Sequence, residues 1–144
     1  NGQKMLVTRK GATPAFPGQR GFIGASMGED AVIIEGVESD VAKDALYSTV
    51  HGAGRVMSRT QAAGKMNYKT RSRSGGQITK EAMMDWVNRI GVTLRGADTD
   101  ESPQAYKRLP EVLKHHKDSI RILHTLRPLG VAMAGKEVND PYKD

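Results

Sequence analysis

Cysteine is absent from the 144 residues, which removes disulfide staples, thiolate nucleophiles and thiolate metal ligands. That absence fits a reducing compartment, with the cytoplasm as the default expectation. Long apolar runs are also missing: no stretch approaches the ~20 residues needed to span a bilayer. With a hydrophobic fraction of 38% and a mean hydropathy of -0.52, the composition is that of a soluble globular protein, and a membrane role is not expected. The first residues, Asn1-Gly2-Gln3-Lys4, lack both an initiator methionine and the apolar core of a secretory signal. Such a start suggests a fragment or a processed chain. The length suits one domain, large enough for a real core but with little room for a second.

What is abundant is positive charge. Lysine and arginine outnumber the acids 22 to 16, a net +6, and the pI is near 9.7. Both favour polyanionic partners such as nucleic acid. The excess is local. Between Arg55 and Arg73 stand Arg55, Arg59, Lys65, Lys69, Arg71 and Arg73 with no acid among them, while acids gather in Asp98-Thr99-Asp100-Glu101. Charge alone leaves two readings open, a solvated basic loop and an RNA-phosphate surface.

Branched apolar residues predict short strands at Lys4 to Thr8 and Asp30 to Glu35, separated by Pro14, Pro17 and several glycines. Asp40 can cap a helix through Val41, Ala45 and Leu46, and a second helical pattern runs from about Val56 to Met66. His51 falls in the break between them. Ser72-Arg73-Ser74-Gly75-Gly76 reads as a mobile loop or linker. Thr79 caps a helix whose Met83, Trp86, Val87 and Ile90 share one apolar face, a core rather than a cofactor site. Further helix is expected from Pro103 to His116, and a buried strand within Ile120 to Val131. Without regular alternation of strand and crossover helix, the fold class expected is α+β, mixed sheets with packed helices.

The strongest chemical signal is Ser48-Thr49-Val50-His51-Gly52-Ala53-Gly54-Arg55-Val56-Met57-Ser58-Arg59. Glycines beside a histidine let backbone approach a ligand and turn N–H groups toward an anion, above all where a helix begins just beyond. Arg55 and Arg59, four apart, would share a helix face and could both hold phosphates. The histidine itself could be a general base, a metal ligand or a nucleophile forming a phosphoramidate. Spacing does not choose among them.

His51-Gly52-Ala53-Gly54-Arg55 with Met57-Ser58-Arg59 resembles the guanylylation motif of the RtcB RNA ligases. Three other blocks match in the same order: Arg9-Lys10-Gly11-Ala12-Thr13 with Ala15-Phe16, then Gly24-Ala25-Ser26-Met27-Gly28, then Ser102-Pro103-Gln104-Ala105-Tyr106-Lys107 leading to Leu126-Arg127-Pro128-Leu129-Gly130-Val131. The resemblance implies that residues 1–135 are the C-terminal part of an RtcB-like catalytic domain, with 136–144 a polar tail. It also implies a ligase joining RNA 3′-phosphate or 2′,3′-cyclic phosphate ends to 5′-hydroxyl ends, using GTP and Mn²⁺. His51 would carry GMP. Gly24, Ala25, Ser26, Met27, Gly52, Ala53 and Gly54 would line the guanylate and phosphate pocket, with Tyr106 near the guanine. Lys10, Arg55 and Arg59 would meet RNA or phosphate oxygens.

Two positions depart from that pattern. Met133 stands where the family has a nucleotide-contacting lysine, with Lys136 three residues on, and Ala31 stands where a guanine-side serine is expected. The metal ligands are expected outside this chain, in a preceding part of the ligase or a partner chain. The isolated chain should therefore not self-guanylylate. Adjacent His115 and His116 would point about 100° apart on a helix, and His124 stands alone. The alternatives are a non-catalytic RNA-binding or RNA-end-sensing homologue, and a diverged ligase acting on other 3′-phosphate ends such as DNA.

Overall fold

The computed structural model describes residues 4–67, 69–70 and 72–134. In chain order the elements are β1 (Ala12–Pro14), β2 (Arg20–Ile23), β3 (Ala31–Gly36), α1 (Asp40–Asp44), β4 (Ser48–Val50), α2 (Arg59–Ala63), β5 (Gly64–Asn67) and β6 (Ser72–Gly75). Then come α3 (Lys80–Ile90), β7 (Thr93–Gly96), two 3-10 turns (Thr99–Glu101 and Pro103–Ala105), α4 (Leu109–Lys114), β8 (Ile120–Leu126) and β9 (Gly130–Met133). Helices and small mixed sheets in this order make an α+β fold. The chain divides into two compact units: residues 1–24, 31–53 and 109–126 form the first, and 25–30, 54–108 and 127–144 the second.

The first unit is organised by β3. Its Ala31-Val32-Ile33-Ile34 run pairs antiparallel with β2 on one side and β8 on the other, with a bulge at Ile33/Ile34 against β8. Alternation places Val32 and Ile34 inward with Ile23 of β2, all nearly inaccessible. A separate antiparallel pair, β1 with β4, matches Ala12 to Val50 and Thr13 to Thr49. Between β3 and β4, α1 is capped by Ser39, whose Oγ accepts from Ala42 N at 3.0 Å. The expected cap was Asp40; it lies one residue later, in the first turn, where its charge complements the helix dipole.

The second unit is built on α3. Thr79 Oγ1 accepts from Ala82 N at 3.1 Å and Gly91 closes the helix in the left-handed conformation. Met83 and Val87 are buried with Met27 and Val92, and Ile90, Leu94, Val131 and Met133 pack against them. β7 and β9 pair in parallel beside this core. The predicted apolar face is thus the actual one, although Trp86 is only half-buried.

Several expected elements are different. Lys4 to Thr8 forms no strand: no ladder includes it, and Leu6 is 94% exposed. The helix expected over 56–66 is only Arg59–Ala63, because Gly64 leaves helical space (φ 85°, ψ 172°) and starts β5. Ser72 to Gly76 is mostly strand, not linker, with Gly75 paired to Gly64 and Ser72 to Asn67. Its glycines serve close approach: a Cβ on Gly64 would lie 2.3 Å from Ser74 O. Pro103 to His116 is broken at Tyr106, whose backbone is extended and bridges to Arg55. The expected buried strand over 120–131 is two strands, one per unit, and Ile122, Leu126 and Leu129 are exposed. Residues 136–144, including Lys136, lie outside the described residues.

Candidate functional site

In the first unit, β4 ends at Val50 and delivers His51 exposed. The turn that launches β4 is unusual: Leu46 and Tyr47 both have left-handed φ, 52° and 50°. That conformation is costly without glycine and persists only where neighbours over-determine it. Here Arg9 donates to Leu46 O at 3.0 Å and to Ser48 Oγ at 2.8 Å, while the Tyr47 ring packs on Phe16 with centroids 5.2 Å apart. Arg9, read in sequence only as part of a block, therefore fixes the register of the strand that presents His51.

Glycines stand at both the ring and the backbone of His51. Gly11 has φ +68°, and the His51 ring lies beside it, Nε2 3.9 Å from the point where a Cβ would stand. Gly24 N donates to His51 O at 3.3 Å, and Gly24 and Gly52 bridge in parallel. A Cβ on Gly52 would come within 3.4 Å of Gly24 O. Lys10 is exposed and Ala53 is buried. The structure thus brings Gly24, His51 and Gly52 together, beside Gly11 and in one unit, with the histidine exposed.

Ala25, Ser26, Met27, Gly54, Arg55, Arg59 and Tyr106 belong to the second unit. Met27 is buried in the α3 core, and Glu29 N donates to Ser26 O at 3.2 Å, closing a tight turn. Gly54 adopts φ +74° with open space around it, so conformation rather than room requires glycine there. The helix expected immediately beyond this glycine starts only at Arg59. A capping box opens it, Ser58 Oγ accepting from Gln61 N and Gln61 Oε1 from Ser58 N. Two of the amides at this helix start are thus taken by its own side chains.

Arg55 and Arg59 do not share a helix face either, since Arg55 precedes α2. They converge instead on the acidic turn at Asp100-Glu101. Arg55 stacks over the Tyr106 ring at 4.6 Å, donates to Tyr106 OH at 2.8 Å and to Met57 O at 3.0 Å, and also reaches Asp100 O. Arg59 pairs with Glu101 and lies 3.5 Å from Oδ2 of Asp100, which is completely buried. Tyr106 OH in turn donates to Glu101. Arg73 meets Asp98 at 2.9 Å. Sequence reading placed these acids apart from the basic segment; their opposite charge was the one available signal that the two segments meet.

His115 and His116 follow α4 in a turn. His116 Nδ1 lies 3.3 Å from the buried Thr49 Oγ1 on β4, and burial, then the neighbouring His115, pushes its pKa below the usual histidine value. Among the described residues no group of three or more His, Asp or Glu could hold a metal ion. No helix among them is long and apolar enough to cross a membrane.

The fold is α+β, with an exposed histidine seated on glycine backbone. A family model described as tRNA-splicing ligase RtcB matches residues 1–134. RNA-splicing ligase RtcB of Escherichia coli K12 is 32% identical over 126 residues, 88% of this chain and 27% of the relative. The tRNA-splicing ligases RtcB of Pyrococcus horikoshii and Archaeoglobus fulgidus are 36% and 33% identical over 148 residues, 90% of this chain and 16% and 28% of theirs. The chain belongs to the RtcB family. It spans between 16% and 28% of the length of these relatives.

Proposed function

We propose that this chain supplies the guanylate-accepting part of a GTP-dependent ligase that joins RNA 3′-phosphate or 2′,3′-cyclic phosphate ends to 5′-hydroxyl ends. The observation that carries this reading is the exposed His51, with Gly11 beside its ring and Gly24 and Gly52 at its backbone, in a chain of this family. A nucleophile attacking phosphorus needs an accessible lone pair and surroundings without bulk, and the glycines provide the second. An imidazole nitrogen of His51 attacks the α-phosphorus of GTP, forming a P–N bond and displacing pyrophosphate. GMP then passes to the RNA 3′-phosphate, and the 5′-hydroxyl displaces it as the phosphodiester forms. Ser26 and Met27, with Gly24 and Ala25, line the guanylate pocket, and Tyr106 stands near the guanine.

Manganese is the metal this activity implies. In this reading its ligands belong to other polypeptide of the ligase, and His51 supplies the nucleophile. The test is incubation of the full-length protein with α-labelled GTP and Mn²⁺. Label on the wild type and none on His51→Ala is expected; equal labelling of the two, or none on either, rejects the reading.

One observation favours a second reading, a non-catalytic module that binds RNA or senses its ends. Met133, at the position of the family lysine, packs in the α3 core as an apolar side chain, and a thioether donates no charged hydrogen bond. This reading predicts salt-sensitive RNA binding that GTP and metal leave unchanged.

A further inference from the structure

The segment Ala25–Asp30, whose first three residues the proposed function places at the guanylate, has no regular secondary structure of its own. Its shape is imposed by a clamp of side chains from elsewhere in the second unit. The half-buried indole of Trp86, on α3, donates through Nε1 to Gly28 O at 2.9 Å. The same indole and Pro103 close over Gly28 so tightly that a Cβ there would lie 2.7 Å from Trp86 Cδ1 and 2.5 Å from Pro103 Cγ. Arg108 covers the other part of the clamp: its guanidinium lies 5.0 Å from the Trp86 ring centroid and pairs through Nε with Glu29, whose side chain is only 6% exposed. Met27, between these anchors and Ser26, is sunk in the α3 core.

Three successive residues are thus held by three different forces, burial at Met27, an indole hydrogen bond at Gly28 and an ion pair at Glu29. Stability of α3 explains the first. It does not require the other two, because an indole N–H at a half-buried position can be satisfied by water and an exposed arginine needs no partner. Together they fix the backbone at Ser26 and Met27 to one conformation, which is what a nucleotide-binding segment without helix or strand needs for pre-organisation.

We propose that Trp86 and Arg108 are positioning residues for the nucleotide, acting through the backbone of Ser26–Glu29. The inference rests on the guanylate reading given above. Trp86→Phe keeps an aromatic ring on Gly28 and removes the donor; Arg108→Gln removes the charge and keeps a side-chain amide able to donate to the buried Glu29 carboxylate, and urea unfolding of both variants checks that the fold is retained.

The test uses full-length protein in the GTP and Mn²⁺ guanylylation assay, with 5-fluorotryptophan incorporated for ¹⁹F spectra and the Trp86 resonance assigned by its loss in Trp86→Phe. Both variants are expected to raise KM for GTP about three- to tenfold, the size of one lost hydrogen bond, with KM for RNA unchanged. The Trp86 resonance of the wild type is expected to shift on saturation with GMP. An unchanged KM for GTP in both variants with a resonance that stays put, or equal rises in KM for GTP and RNA, overturns the positioning role. A wild type that takes no label overturns the ligase reading and this inference with it, and that outcome is distinct from a labelled wild type with indifferent variants.

Discussion

Gly28→Ala puts a number on the clamp. The added methyl would stand 2.5 Å from Pro103 Cγ and 2.7 and 2.8 Å from Trp86 Cδ1 and Nε1, distances at which the ring or the loop has to move. Forcing a methyl into a packed site costs ~1–3 kcal/mol. If the indole retreats it also loses its bond to Gly28 O, ~0.5–1.5 kcal/mol. Alanine returns ~0.4–1 kcal/mol by restricting the unfolded chain. Midpoints of these ranges leave a loss of about 2 kcal/mol. In urea unfolding followed by Trp86 fluorescence, a slope of ~2 kcal/mol per molar turns that loss into a midpoint about 1 M lower. Gly24→Ala is the control, since its Cβ would meet Phe22 Cε1 at an ordinary 3.6 Å, and its midpoint should hardly move. A Gly28→Ala midpoint within about 0.2 M of wild type, on that same slope, would mean that the loop yields and the clamp is loose.

Two further outcomes follow from buried titratable and charged groups. His116 has its pKa lowered by burial against Thr49, so the unfolded chain binds its proton more readily than the folded one. Stability is then intact above the usual histidine value of about 6.5 and is lost as pH falls from there through the folded pKa. Urea midpoints at pH 8 and pH 5 should differ by less in His116→Gln than in the wild type. Asp100→Asn removes a completely buried carboxylate facing Arg59. Because Arg59 is one-third exposed and retains Glu101, the cost should fall below the 3–5 kcal/mol of a fully buried broken pair, at about 2 kcal/mol, read from the same unfolding curves.

A run of branched apolar residues made β3 legible in the sequence, and helical spacing made α3 legible, because that helix buries the face its apolar residues define. Capping made the start of α1 legible to within one residue, since Ser39 and Asp40 are both good caps and only the extended φ of Ser39 distinguishes them. What failed was every inference that needed a partner distant in the chain. Lys4 to Thr8 has strand composition and no strand to pair with. Ser72 to Gly76 has linker composition, yet its glycines let two backbones meet across a hairpin. The helical spacing of 56–66 was overruled by Gly64, whose φ of 85° starts a strand. At the candidate site the histidine and glycines were legible as a motif, whereas the Arg9 anchor on Leu46 and Ser48, and the left-handed turn it holds, came only from contacts 37 and 39 residues apart in sequence.

The same distinction governs the basic segment. Composition counted six cations between Arg55 and Arg73, but Arg55, Arg59 and Arg73 end on the 98–101 turn and its carboxylates. A phosphate approaching Arg59 competes with Asp100, a carboxylate with no access to water, and drawing the guanidinium away would break its contact with that buried group. The cost of such a separation is about 2 kcal/mol by the same reasoning, more than an exposed phosphate contact returns. Arg59 is therefore a fixed buttress, able to offer an anion only the part of its guanidinium not turned toward Asp100 and Glu101. Lys65 and Lys69, exposed around the β5–β6 hairpin, carry no such cost. If this segment meets a nucleic-acid backbone, counterion release should come chiefly from those lysines, and the arginines should contribute geometry more than charge.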